Sequence, residues 1–159
     1  MSDPTPSADP QGFVIRAGRA ADGPALVELF HRSRAAAMPW LPVLHSTAED
    51  SRWMVDNVLG RHQVWVADTA DGPVGFGAVH GDLLGHLYVD PNWQGRGVGS
   101  ALLDAARAGR DRLELWVFQR NERARAFYQR HGFVLVELTD GSGNEERTPD
   151  ARYAWVAAD

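Results

Sequence analysis

The chain has 159 residues, 44% of them hydrophobic and 23% charged, which is the size and composition of one globular domain with a core of its own. It contains no cysteine, so disulfides, thiolate metal sites and acyl-cysteine intermediates are excluded. All 16 basic residues are arginine, which also removes a Walker A lysine and a Schiff base, and the net charge of −5 argues against nonspecific nucleic-acid binding.

The opening "MSDPTPSADP" lacks a basic-then-apolar leader pattern and reads as a disordered tail over residues 1–11, with one domain over 12–159. With no apolar run long enough to span a bilayer, the expected compartment is the cytoplasm, with no membrane partner. "FVIRA" (13–17) reads as a strand. Asp22 is placed to cap a helix in which Leu26, Leu29 and Phe30 recur at helical spacing. Pro39 and Pro42 make "MPWLPVLHS" a loop. Ser46 and Glu49 have capping-box spacing before a second helix carrying Trp53, Met54, Val58 and Leu59, with Gly60 as its stop.

The period then changes. "QVWVAD", "VGFGAVH" and "LLGHLYVD" are short apolar or alternating runs separated by turn residues, an antiparallel meander of three strands. A glycine-rich junction follows, then helix "SALLDAARA", strand "LELWVF", helix "ERARAFYQRH" stopped by Gly132, strand "FVLVEL", a polar stretch, and strand "ARYAWV". This order predicts an α+β (mixed α/β) fold: a mostly antiparallel sheet of six to seven strands, one parallel βαβ unit, and about four flanking helices.

The junction "NWQGRGVGS" carries the chemistry. Three glycines, Gly95, Gly97 and Gly99, stand between an apolar strand and a helix N-terminus, which bears unpaired N–H groups and about half a positive charge. Such a backbone holds an anion closely without a lysine. The spacing Gln94-x-x-Gly97-x-Gly99 matches neither Gly-x-Gly-x-x-Gly nor a P-loop.

With "LYVDP" before it and "NERARAFYQRHGF" about twenty residues after it, this segment resembles the GNAT superfamily of acyl-CoA-dependent N-acetyltransferases. The order of elements extends the likeness over 13–156. The resemblance implies acetyl-CoA as co-substrate, no metal, and a pyrophosphate loop of Gln94, Gly95, Arg96, Gly97, Val98, Gly99 and Ser100. It implies that Leu87, Tyr88 and Val89 lie where the strand parts from its parallel neighbour and approach the pantetheine arm. Asn121 matches a helix-capping asparagine beside the cofactor, and a plain N-cap reading stays open. Tyr128 matches the tyrosine that protonates the leaving thiolate, with packing beside Phe127 as the alternative. His86 is the titratable residue of the strand, a base for the acceptor amine unless a water chain does that work.

In the resembled fold the loops around 38–46 and 139–150 flank the acceptor. They offer Trp40 and His45, and Glu145 and Glu146 among Asp140, Asp150 and Arg147, where a solvated loop is the other reading. Of Arg120, Arg123, Arg125 and Arg130, most form a solvated face, with Arg123 or Arg125 as the candidate for a cofactor phosphate. The function expected is direct acetyl transfer from acetyl-CoA to a primary amine of a small molecule or peptide. The alternatives are a protein N-terminal acetyltransferase and a non-catalytic acyl-CoA sensor. Exposed last strands leave room for a homodimer.

Overall fold

A computed structural model describes residues 11–158; apart from Gln11, the tail expected at 1–11 lies outside the described residues. The strands are β1 (Val14–Ala17), β2 (Gln63–Thr69), β3 (Gly72–His80), β4 (Leu83–Val89), β5 (Arg112–Phe118), β6 (Val134–Leu138) and β7 (Asp150–Val156). The helices are α1 (Gly23–Ala37), α2 (Thr47–Trp53), α3 (Val98–Arg107) and α4 (Glu122–Arg130), with α2 continuing through a wider π-turn, Met54–Leu59. One seven-stranded sheet runs in the order β1-β2-β3-β4-β5-β7-β6. Among the described residues only β4 and β5 pair in parallel, across α3, as the βαβ reading required. The sheet, its parallel pair and the four helices match the predicted architecture.

Alternation along β2 sends Val64 and Val66 to one face, where Leu26, Leu29 and Phe30 of α1 and Met54 and Val58 cover them. Ala67 faces the other way, against Val98 and Leu102 of α3. On that second face, α4 packs Tyr128 onto Leu113, Leu115 and Tyr153, beside Leu103 and Ala106 of α3. Each fully buried Leu or Phe in these layers contributes roughly 2 kcal/mol.

Two turn details differ from expectation. Asp22 occupies the position before α1, but its carboxylate makes no cap bond to that helix. It accepts instead from the Arg16 guanidinium (2.7 and 2.9 Å) and from the Arg19 N–H (2.9 Å), because a partly buried cation is a stronger partner than a second amide. Gly60 remains right-handed (φ −82°) and gives no left-handed stop. The Ser46–Glu49 capping box forms as read, with both reciprocal bonds at 3.1 Å.

The feature that positions the site is in β4. Its register with β3 runs from Val89↔Gly75 to His86↔Ala78 and then slips to Leu84↔Val79, leaving Gly85 as an extra, bulged residue. Pairing with β5 ends at the same place: Leu83↔Glu114 and Leu84↔Leu115 pair in parallel, and β4 then continues along β3 alone. The bulge puts Leu84 and Leu87 on the α3 side while His86 and Tyr88 face α1 and α2. β4 thereby opens a V against β5, with different chemistry on its two sides.

Candidate active site

The turn after β4 is fixed by Asp90. Its carboxylate accepts from the Asn92 N–H (2.9 Å) and from Arg32 (3.0 Å), starting the short turn Pro91–Trp93. Gly95 and Gly97 then adopt φ of +75° and +84°, a region that a Cβ disfavours, and nothing lies within 4 Å of where a Cβ would stand on either. Gly99 serves differently: a Cβ there would sit 3.3 Å from the Phe127 ring, so its absence lets α3 approach α4.

The first main-chain N–H of this segment to find a carbonyl is that of Ala101, on Gly97 (3.0 Å). Those of Gly95 through Ser100 have no partner among the described residues. Six donors beside the positive end of a ten-residue helix form a ready anion cradle, one that fits a diphosphate without a lysine.

This cradle is one wall of a cleft of about 660 Å³ between β4 and α4. Leu87, Tyr88, Val89, Gln94, Gly95, Gly97, Val98, Gly99, Ser100, Asn121 and Tyr128 all border it, so the structure gathers nearly every cofactor-side residue read from the sequence. Arg96 is absent from that border; its guanidinium lies 4.7 Å over the Trp93 ring. The Val89 carbonyl already accepts from Ser33 Oγ (3.0 Å) and Gln94 Nε2 (3.3 Å). Asn121 caps α4 by accepting from the Ala124 N–H (3.3 Å), and it still faces the cleft.

Tyr128 is 9% exposed, and its hydroxyl makes no hydrogen bond among the described residues. Burial, with the neighbouring Tyr88 adding to it, pushes the phenol well above its ordinary value, so the proton stays on oxygen at neutral pH. Phe127 and Phe133 hold the ring edge-on at 5.3 and 5.6 Å, so packing and an available hydroxyl coexist.

The arginines divide on contacts that helical period does not reveal. Arg125 turns into the sheet, donating to the Tyr153 hydroxyl (2.9 Å) and the Gln119 carbonyl (3.3 Å). Arg123 and Arg130 border the cleft instead, and Arg120 stacks over Trp40 at 5.0 Å. His131, unremarked in the sequence, also borders the cleft. Its Nδ1 faces the Phe127 carbonyl (2.8 Å) and so carries the hydrogen, leaving Nε2 to accept from Ser100 Oγ (2.9 Å).

Through Tyr88 and Met38 the cleft borders a second cavity of about 380 Å³. Its floor is aromatic: Phe30, Trp53, Tyr88 and Phe118. Its rim carries Glu49, Asp50, Glu145 and Glu146 with Arg34 and His45. His45 bridges the two loops, Nδ1 to Glu49 (3.4 Å) and Nε2 to Glu145 (2.5 Å), and those carboxylates raise its pKa above 6.5. Arg34 reaches Glu146 at 3.8 Å. Trp40 is absent from the lining of this cavity and lies edge-on to Phe118, which borders it, at 6.1 Å. Burial pushes the Tyr88 phenol up to about 12, with Arg34 opposing and Glu146 adding to the shift.

His86 also borders the second cavity, between Trp53 (5.1 Å) and His62 (5.6 Å). Burial, helped by the adjacent His62, lowers its pKa to about 4, and its buried Nδ1 has no partner among the described residues. Sequence periodicity treated Trp53 as plain core and passed over Phe118 and Arg34. Their only signal was proximity to the two loops, which the fold alone reveals. No His/Cys/Asp/Glu grouping able to hold a metal occurs among the described residues, and no helix among them is long and apolar enough to cross a membrane.

Comparison with known proteins agrees with this geometry. Residues 60–135 match the family model described as an acetyltransferase (GNAT) domain. The chain is 30% identical over 145 residues, 91% of its length and 97% of the other's, to the Escherichia coli protein named peptidyl-lysine N-acetyltransferase YjaB. The solution structure of apo-form YjaB superposes with a TM-score of 0.75 at 30% identity, over 92% of this chain and 99% of that one. At 20% identity, a Thermoplasma acidophilum PaiA N-acetyltransferase solved with coenzyme A shares the fold, with a TM-score of 0.72 over 91% and 99% of the two chains.

Proposed function

This chain belongs to the GNAT family of acyl-CoA-dependent acetyltransferases, and from that membership we propose transfer of acetyl from acetyl-CoA to a primary amine entering through the second cavity. The observation that carries this reading is the meeting of two unlike cavities at Tyr88: one walled by unpaired main-chain N–H groups, the other rimmed by carboxylates. The amides of Gly95–Ser100 would take the diphosphate, with Arg123 and Arg130 beside it as the cationic side chains free to turn toward phosphate. Bound there, acetyl-CoA supplies a thioester carbonyl open to attack by an amine.

The chain's own groups then have separate roles. The carboxylate rim concentrates an ammonium, and the aromatic floor takes its alkyl stem. Tyr128, held protonated, donates to the departing sulfur, work worth typically 10²–10⁴ in rate. His86 is the base candidate on the acceptor side. With no cysteine in the chain, the amine attacks the thioester directly.

The acceptor we favour is a lysine side chain of a peptide. The name carried by the Escherichia coli relative supports it, as does a cavity of about 380 Å³ lined by aromatic rings and carboxylates. The test is release of free thiol from acetyl-CoA in the presence of an N-terminally blocked peptide with one lysine, beside a panel of small amines. Amine-dependent thiol release with an Nε-acetylated product is expected; no release with any amine would overturn the assignment.

A further inference from the structure

Ser100 is the third residue of α3 and stands inside the amide cradle, on the border of the cofactor cleft. A diphosphate at neutral pH only accepts hydrogen bonds, so a side chain that meets it must donate. The Ser100 hydroxyl has one hydrogen to give, and in the structure that hydrogen goes to His131 Nε2 (2.9 Å).

The direction of that bond is set from the far side of the ring. His131 Nδ1 lies 2.8 Å from the Phe127 carbonyl, which only accepts, so the hydrogen of a neutral imidazole is on Nδ1 and Nε2 holds a lone pair. The ring is also packed against the Phe127 ring at 4.3 Å, and Phe127 in turn fills the space that a Cβ on Gly99 would crowd at 3.3 Å. Half-buried His131 is thus fixed between the loop that faces the diphosphate and the helix that carries Tyr128.

A neutral His131 and a bound diphosphate make conflicting demands on one hydroxyl. If Ser100 keeps donating to His131, its oxygen lone pairs face the phosphate oxygens. If it turns to the phosphate, the Nε2 lone pair is left facing an anion with nothing to accept from. A second ring proton removes both conflicts. Nε2–H then donates to Ser100 Oγ, the hydroxyl hydrogen is released toward the phosphate, and a positive charge stands behind it.

We propose that His131 takes up a proton from solvent when the cofactor's diphosphate binds, and that through Ser100 it turns a hydroxyl into a donor to phosphate. His131 is thereby a positioning residue for the cofactor, and cofactor affinity is linked to pH; the proposal rests on the acyl-CoA reading of the cleft. Around the ring, α3 presents Ser100, Arg107, which donates to the His131 carbonyl (2.7 Å), and Asp104, which pairs with Arg107 (2.9 Å). α4 presents Arg123, Tyr128 and Arg130 on the border of the same cleft, and Trp155 of β7 lies under Arg107 at 5.2 Å without adding charge. Among the described residues no carboxylate pairs with the ring, so the diphosphate brings the first negative charge to it. Binding that favours the protonated ring raises its titration midpoint in the complex. Affinity is then greatest below the lower midpoint, falls as pH rises between the two, and levels off above the higher.

The test is calorimetric titration of the full chain in buffers of different ionisation enthalpy, which counts the protons exchanged on binding. The ligand is dephospho-coenzyme A, which keeps the diphosphate and lacks the 3′-phosphate monoester, a group that itself titrates at about 6. The wild type should take up a fraction of a proton, and its Kd should weaken about tenfold between about pH 5.5 and about pH 8, across the imidazole range. His131→Gln offers an amide donor that does not titrate and should show neither the uptake nor the slope. Ser100→Ala, which keeps its main-chain N–H, should lose most of the uptake. In the wild type, the His131 midpoint followed by NMR should rise when the ligand is added. Uptake that persists in His131→Gln, or a His131 midpoint that the ligand leaves in place, would overturn the proposal; full uptake in Ser100→Ala would overturn the route through the hydroxyl. Absence of binding to the wild type at every pH would instead sink the acyl-CoA reading itself, and this linkage with it.

Discussion

Replacing Gly97 by alanine isolates what the main chain contributes. Gly97 has φ +84°, and a Cβ built on it meets nothing within 4 Å, so the substitution adds backbone strain without a clash. Left-handed conformation costs a residue with a Cβ about 1–2 kcal/mol, which for a domain of this size lowers Tm by about 2–8 °C. If the chain relaxes by rotating this peptide, one or more of the Gly95–Ser100 amides leaves the cradle. A hydrogen bond to a charged group is worth about 1.5–3 kcal/mol, so acetyl-CoA should bind about ten- to a hundredfold more weakly. Gly81, at the turn joining β3 to β4, is the matched control, with φ +62° and again nothing within 4 Å. Gly81→Ala should cost a similar amount in Tm and leave the Kd for acetyl-CoA unchanged. Calorimetry on both variants decides the matter; equal affinities in the two would refute the assignment of the cradle to the cofactor.

Three further predictions follow from other parts of the site. Tyr128→Phe should lower kcat about a hundredfold with little change in the KM for acetyl-CoA, and Tm should hold because the lost hydroxyl has no partner; unaltered kcat removes its acid role. His45 should titrate above 6.5 by NMR, and Glu145→Gln should bring the midpoint down. Because that pKa is raised, the bridge between the two loops is fully present below 6.5 and is lost as pH climbs through the raised value; a midpoint at or below 6.5 contradicts the bridge. The Asp22 carboxyl is held below its ordinary 3.8, chiefly by the Arg16 guanidinium, so its contribution is present above that pH and is lost as pH falls through the lowered value. Asp22→Asn should therefore destabilise by about 1–3 kcal/mol near neutrality, and the gap in Tm from wild type should close in strong acid.

Much of this site is local in sequence, and that part was legible. The capping box needs only Ser46 and Glu49, and the glycine-rich loop is a run of consecutive residues in which Gly95 and Gly97 take positive φ. The parallel unit followed from a strand, a helix and a strand in succession. What sequence reading missed depends on which neighbours the fold brings beside a side chain. Arg125 turns away from the cleft because Tyr153, 28 residues on, offers it a hydroxyl, while Arg123 on the same helix meets no such partner. Asp22 looked like a helix cap until Arg16 was brought beside it by the folding of β1. The side on which His86 stands depends on a single extra residue in β4. Gly85 in the strand was a signal for that bulge.

Main-chain amides that hold a diphosphate must respond when it binds, and an amide-resolved NMR titration with acetyl-CoA tests this directly. The largest shifts at saturation should fall on the N–H groups of Gly95 through Ser100, with Gly81 unmoved. Saturable binding that leaves those six resonances in place would contradict it.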